Sequence, residues 1–360
     1  MECCKNILGV EKVKHTAKLA YHVIRGRLKK KPYKLNFTVT SFCNSKCTTC
    51  NIWKNPNRTR EELTLQEIET IFKKLPDTIC WLSLTGGETF SRKDFPDIIK
   101  SAMTHIPHLA LIGIPSNGLY QARMLEALQE ISQIPNHPNI ILSFSIDGPE
   151  TLHDEIRGVP GGFRRTWDTY QKAKELTKND PAITIAIETT ISRRNVDVIY
   201  PFLENLLQEK HVVTLTFAHE AYLYVNEKGT DAKGIIPTNI AEIQRLIALF
   251  EKRFRFWHPK DIIEKRYLQQ IPAYLRNPKK KPSPCMSLIT TISLDAFGKV
   301  NPCLMWGKQL GDLRKENYTI MPIYNSHLSS QTRKDIKEDK CPNCWTPCEA
   351  YQSVLWDLFP

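Results

Sequence analysis

What this chain of 360 residues lacks narrows it first. No uncharged apolar run approaches the roughly 18 residues that a membrane-spanning helix needs, and the opening MECCKNILGVEK carries charges where a signal peptide would place its apolar core. The chain is therefore expected to be neither exported nor membrane-spanning. Tandem repeats and low-complexity segments are missing as well, and 41% hydrophobic with 24% charged residues excludes disorder and fibrous structure. Acid is in short supply: 38 Asp plus Glu against 50 Lys plus Arg leave +12, a balance that suits an anionic small molecule, a nucleic acid or a lipid head group without choosing among them.

Cysteine is plentiful by contrast. Eleven thiols fall in groups rather than pairs, which argues against a disulfide framework in a chain of this size. Cys43, Cys47 and Cys50 sit in FCNSKCTTCNIW, and Cys285, Cys303, Cys341, Cys344 and Cys348 lie near the other end, while Cys3, Cys4 and Cys80 have no partner motif. Three thiolates cannot complete a tetrahedral zinc site alone, whereas a [4Fe-4S] cluster held by three leaves one iron open for an exogenous ligand. A zinc knuckle stays open as the alternative for the first group, and a zinc ribbon for the second, because C-x2-C with distant cysteines suits Zn equally well.

From Leu35 to about Tyr222, short β-branched or apolar runs alternate with helical patterns, the signature of parallel βα units. The strand-like runs start at Leu35, Cys80, Leu109, Ile140, Ala182 and Val212. Each is followed by its least scaffold-like residues: the cysteine loop, Gly86-Gly87-Glu88, Ser116-Asn117-Gly118, Asp147-Gly148, the stretch from Glu188 to Ser192, and His219-Glu220. All map to the strand C-terminal ends, the face on which a (β/α) barrel keeps its active site. The expected fold is α/β, a partial (β/α)6 TIM-like barrel, laterally open, with a small C-terminal cysteine-rich iron-sulfur subdomain. His219 and Glu220 would shuttle a proton or hold substrate if they face the cleft; a satisfied structural histidine is the favoured reading.

The C-x3-C-x2-C spacing of Cys43, Cys47 and Cys50 resembles the cluster motif of the radical S-adenosylmethionine (SAM) superfamily, with Thr49 where most members carry an aromatic and with Phe42 and Trp53 flanking the loop. TGGE, with Gly86, Gly87 and Glu88, is similar to the family's GGE segment, and Thr89 replaces the usual proline. The stretch SFSIDGPETLHDEIRGVPGGF from Ser143 looks like the fourth-strand segment of members that carry a SPASM or twitch extension. The resemblance implies a SAM site at Gly86, Gly87, Glu88, Ser116, Asn117, Ser145, Asp147 and Arg157, where backbone and acid groups receive the SAM ammonium and the planar donor fork of Arg157 pairs with the SAM carboxylate. Cys285-x12-Gly298-x4-Cys303 followed by CPNCWTPC resembles a SPASM or twitch subdomain with one auxiliary [4Fe-4S] cluster. Five candidate thiols leave one spare; Cys285, Cys303, Cys341 and Cys344 match the twitch pattern best.

The implied chemistry is one-electron reduction of SAM, giving a 5′-deoxyadenosyl radical that abstracts hydrogen from substrate, fed by a donor such as flavodoxin or ferredoxin. The substrate is left among small alcohols, sugars, nucleotides and lipid-linked molecules. A ribosomally made peptide is the alternative, and a non-catalytic iron-sulfur or zinc protein is the rival from another class. Nucleic acid is disfavoured because Lys and Arg are dispersed without an aromatic-basic motif.

The division expected is a basic amphipathic helix over 1–34, a core barrel over 35–222, a helical connector and linker over 223–284, the auxiliary-cluster subdomain over 285–349 and a C-terminal helix over 350–360. Val10, Val13, Ala17, Tyr21, Ile24 and Leu28 recur at helical spacing among Lys12, Lys18, Arg25, Arg27 and Lys29 to Lys31. Docking on the barrel bottom is the favoured role; reversible contact with an anionic membrane surface is the other. The location expected is the cytoplasm, with peripheral contact at the inner membrane face under the second role.

Overall fold

The computed structural model describes residues 16–55, 58–224, 235–255 and 259–358. Cys3, Cys4, Val10, Lys12, Val13 and Phe359, singled out above or in the same segments, lie outside the described residues.

Six parallel strands follow one another in chain order: β1 (Lys34–Thr40), β2 (Trp81–Gly86), β3 (Leu111–Ser116), β4 (Asn139–Ser145), β5 (Ile183–Ile191) and β6 (Val213–Phe217). Helices cross back between them: α2 (Leu65–Lys73), α3 (Phe95–His105), α4 (Gln121–Ser132), α5 (Glu150–Arg157), α6 (Gly162–Leu176) and α7 (Tyr200–Gln208). The period of two in the strands builds the two faces. Leu35, Phe37 and Val39 are buried in the core shared with the helices, while Lys34, Asn36, Thr38 and Thr40 take the opposite, lumen face. Local signals set the helix ends. Thr64 and Glu67 form a reciprocal capping box at the start of α2, and α5 stops at Gly158, whose φ of 61° is left-handed.

Three strands beyond the barrel continue the sheet. β7 (Thr291–Leu294) pairs parallel with β1, matching Lys34 with Thr291 and Phe37 with Leu294, and β8 (Lys299–Asn301) and β9 (Gly311–Asp312) add antiparallel, giving the order β6-β5-β4-β3-β2-β1-β7-β8-β9. The cysteine-rich segment is thus built onto the barrel's first strand. Helices α8 (Ile240–Glu251), α9 (Pro259–Arg276), α10 (Ile320–Tyr324), α11 (His327–Lys337) and α12 (Pro347–Leu358) follow in the C-terminal third. The last helix packs on α9 and reaches the lumen side of β1, where Asn36 donates to Glu349 at 3.0 Å and the Tyr33 hydroxyl donates to Gln352 at 2.7 Å.

The N-terminal helix, α1, described over 16–28, lies across the strand N-terminal ends. Val23 packs with Tyr33, Cys80 and Ala110, the residues just before β1, β2 and β3, and Lys29 and Arg25 pair with Asp77. Cys80 is fully buried there. This contact set is the docking role; Tyr21, Ile24 and Leu28 stay exposed on the other face among the described residues.

Candidate functional site

The loop after β1 is fastened on every side. Glu62 accepts from the Thr40 hydroxyl (3.1 Å), the Ser41 amide (2.7 Å) and the Ser41 hydroxyl (2.8 Å), fixing the exit from the strand. On the β2 side, the Gly87 amide donates to Thr40 (2.9 Å) and the Glu88 amide to Phe42 (2.8 Å). A side chain at Gly87 would place its Cβ 2.0 Å from the Phe42 carbonyl oxygen, so glycine is required by approach of the cysteine loop itself. On the α5 side, the amides of Lys46 and Thr48 donate to the carbonyls of Arg157 (3.0 Å) and Ile156 (2.8 Å), using the open C-terminal acceptors of that helix. The three thiols end up buried or half-buried on this loop, and burial pushes Cys43 and Cys50 up to about 12.

Glu88 is buried. Its carboxylate accepts from the Ser116 hydroxyl and the Asn117 amide, both at 2.7 Å, and from the Phe90 amide at 3.2 Å. Burial raises its pKa against those three donors. The carboxylate is turned onto the end of β3. Asn117 in turn donates from Nδ2 to Asn44 (2.7 Å) and Ser45 (2.8 Å), so Glu88, Ser116 and Asn117 form one brace under the cysteine loop.

Asp147 and Arg157 form a buried ion pair, Nε to Oδ2 at 2.6 Å, and Arg157 Nη1 reaches Cys47 Sγ at 3.9 Å. Asp147 Oδ1 also accepts from the Thr190 amide (2.8 Å), and Asn195, a residue not singled out from sequence, donates to the carbonyls of Asp147 and Thr190 at 2.9 Å each. Ser145 lies on the lumen face, half-buried. Its strand neighbour in register is Glu188, whose own neighbour on β6 is Thr214.

Cys285, Cys303, Cys341 and Cys344 line one narrow cavity together with Lys281, Met305, Trp306 and Glu349. Lys281 Nζ donates to Cys341 Sγ at 3.4 Å. Burial drives Cys285 and Cys303 well up and Cys344 up to about 12. Cys348 does not line that cavity; it stands among Lys34, Glu349 and Glu188. The segment 221–224 straps the two cysteine regions together: the Asn51 amide donates to Tyr224 (2.7 Å), while the amides of Tyr222 and Leu223 donate to Met305 (3.2 Å) and Leu304 (3.1 Å).

Neither thiol group converges on a single point: among the described residues no three His, Cys, Asp or Glu side chains meet as a mononuclear metal site. Three thiols stand on one loop and four in one cavity, a ligand type that iron-sulfur clusters and zinc both use. His219 is structural. Its Nδ1 bonds the Phe217 carbonyl, its Nε2 accepts from the Trp345 amide at 3.4 Å, its ring stacks on Tyr274, and burial holds its pKa down at about 4. A separate recess of ≈ 460 Å³ lined by Tyr120, Arg123, Arg165 and Asp168 holds none of the thiols.

Comparison with known proteins agrees with this arrangement. Residues 37–191 match the radical SAM superfamily. The antilisterial bacteriocin subtilosin biosynthesis protein AlbA of Bacillus subtilis (strain 168) is 26% identical over 328 residues, 86% of this chain and 65% of AlbA. The sporulation killing factor maturation protein SkfB of the same organism is 26% identical over 174 residues, 48% of this chain and 39% of SkfB. The chain thus spans less than two thirds of either relative. Among solved structures, Streptococcus suis SuiB bound to S-adenosylmethionine shares the fold with a TM-score of 0.59 at 17% identity, covering 89% of this chain and 71% of SuiB. Six parallel strands, a three-cysteine loop after the first of them and this match make residues 37–191 a radical SAM domain, which takes up less than half of the chain.

Proposed function

We propose that this chain is a radical SAM enzyme that removes a hydrogen atom from its substrate. Residues 35–222 are its core and 285–349 a twitch-like auxiliary-cluster subdomain, joined by 223–284 and followed by the helix over 350–360. The observation that carries this is the convergence of β1, β2, β3 and α5 on the loop of Cys43, Cys47 and Cys50. In this assignment those thiolates hold a [4Fe-4S] cluster, and Cys285, Cys303, Cys341 and Cys344 hold one auxiliary [4Fe-4S] cluster, with Cys348 as the spare thiol.

When bound, the cluster and SAM supply one-electron reductive cleavage, the electron coming from a flavodoxin or ferredoxin. The chain's own residues bind and orient. Gly86 and Gly87 bring backbone to the loop, and Glu88, Ser116 and Asn117 hold that loop in place. Ser145 offers an open hydroxyl toward the ribose, and Arg157, fixed by Asp147, presents its remaining donors to the SAM carboxylate. The surrounding barrel keeps water from the reacting atoms. Anaerobic reconstitution with iron and sulfide, iron counting and a dithionite assay for 5′-deoxyadenosine test the assignment. About eight irons with cleavage are expected; zinc without cleavage would favour the non-catalytic rival.

For the substrate, a ribosomally made peptide gains support from similarity to relatives named for bacteriocin biosynthesis and killing-factor maturation. Stimulation of 5′-deoxyadenosine formation by a precursor peptide, and not by sugars, alcohols or nucleotides, is the discriminating result. A second reading concerns the N-terminal helix. The stripe of Tyr21, Ile24 and Leu28 beside Lys29, Lys30 and Lys31 supports peripheral contact with anionic lipid. Deletion of residues 1–30 should then weaken sedimentation with anionic liposomes; unchanged sedimentation leaves only the docking role. No helix among the described residues is long and apolar enough to cross a membrane.

A further inference from the structure

Charged groups inside the barrel are nearly all spoken for. Asp147 is paired with Arg157 at 2.6 Å. Lys34 donates to the Cys348 carbonyl at 2.6 Å, lies over the Trp81 ring and faces Glu349, whose two oxygens accept from Asn36 and Thr291. Glu188 is left over. On β5 the side chains of Ile187 and Thr189 are buried on either side of it, while Glu188 sits on the lumen face between Ser145 of β4 and Thr214 of β6. Among the described residues no donor hydrogen-bonds to its carboxylate.

The same residue is only half-buried by surface area, yet burial is the leading influence on its carboxyl, ahead of Arg157 and Asp147, and raises its pKa. A half-buried side chain on the lumen face opens to the barrel interior, and the half-buried Cys348 and Tyr224 lie within electrostatic reach of Glu188. An ionised carboxylate held there without a partner is disfavoured, so the arrangement is complete only with a cation or a strong donor.

We propose that Glu188, with Thr214 beside it on β6, is the binding surface of a substrate chamber, in which Glu188 receives a cationic hydrogen-bond donor of the substrate, a primary ammonium or guanidinium, with the Cys348 thiol lining the same chamber. This rests on the radical SAM reading of the barrel, since it places the substrate beside the Cys43, Cys47 and Cys50 loop. Charge-assisted, bidentate acceptance is what a carboxylate between two hydroxyl-bearing strands offers, and it would select against neutral isosteres.

Alkylation of Cys348 reports occupancy of the chamber without reduction, SAM or turnover. The reconstituted full-length protein is labelled with N-ethylmaleimide, and modification at Cys348 is read by peptide mass spectrometry. The probes are n-butylammonium, n-butylguanidinium and neutral n-butanol at constant chloride. Both cations should slow labelling while n-butanol does not, and Glu188→Gln should raise the half-protecting concentration by about tenfold. The cation-versus-alcohol contrast in the unmodified protein stands even where the variant folds poorly.

Equal protection by n-butanol, or protection kept in a folded Glu188→Gln protein, overturns the proposal. So does a Cys348 that labels only after unfolding, because the chamber would then be closed. Protection by SAM alone that vanishes in the variant would assign Glu188 to the cofactor and overturn the substrate role. Failure of the radical reading shows separately, as absent iron or absent SAM cleavage, while the labelling result is unaffected.

Discussion

Arg157 and Asp147 meet at 2.6 Å in the floor of the cysteine loop, and the same guanidinium extends its Nη1 to Cys47 Sγ at 3.9 Å. One side chain therefore couples β4 to the loop. Removing it leaves a buried carboxylate without its cation, a loss of about 3–5 kcal/mol. Arg157→Ala should destabilise by that amount in denaturant titration. The double variant with Asp147→Asn should recover part of the loss; strict additivity would mean that the two residues do not act as a pair.

Glycine at 87 is set by backbone, not by a ligand. In Gly87→Ala the new Cβ would fall 2.0 Å from the Phe42 carbonyl oxygen, and neither backbone can yield as a flexible side chain would. The cysteine loop must shift, so the first cluster should be lost while the auxiliary one stays. Iron content should fall from about eight to about four per chain. Retention of all the iron would show that the loop tolerates displacement.

The two C-terminal cysteine positions should separate cleanly. Cys303→Ala removes a thiol that lines the C-terminal cysteine cavity and should halve the iron, whereas Cys348→Ala removes one outside it and should leave iron content unchanged. Iron loss in the Cys348 variant would return that thiol to the ligand set.

Glu264 on α9 is buried, its Oε1 has no hydrogen-bond partner among the described residues, and burial raises its pKa from 4.5 to about 7 against the pull of Lys260 and Arg253. The folded protein binds this proton more tightly than the unfolded chain. Stability from this group is therefore full below pH 4.5 and falls between about pH 4.5 and 7, by about 3 kcal/mol in all. Glu264→Gln should gain stability over the parent at pH 8 and lose that advantage at pH 4. A pH-independent difference would mean that the carboxyl is solvated.

The linear code wrote several parts of this molecule directly. Alternation of β-branched and helical patterns produced six βα units, because a strand buried on both faces and an amphipathic helix have unmistakable periods. Strand ends fell within two residues of the expected ones, and β3 begins at Leu111 instead of Leu109 because Ala110 packs beneath the N-terminal helix. The three-cysteine loop was legible from spacing alone, since its thiols are local in sequence. His219 needed the structure, which showed both ring nitrogens engaged and thereby favoured the structural role.

Other features depend on chain segments far apart in sequence. Nothing in TTISLD announces that β7 will pair with β1, because edge pairing is a property of the assembled sheet. The orientation of Glu88 toward Ser116, across 28 positions, followed from which donors the fold brought near. Strand parity marked Glu188 as facing away from Ile187, but its lack of a partner became visible only once Arg157 and Lys34 were seen to be engaged elsewhere. Cys348 follows Cys344 by four residues, yet the start of α12 carries it away from the auxiliary cavity toward the lumen of the barrel. Sequence determined which chemical groups the protein owns and the units that carry them; tertiary packing decided which groups are satisfied and which are left facing open space, because satisfaction depends on neighbours that only folding supplies.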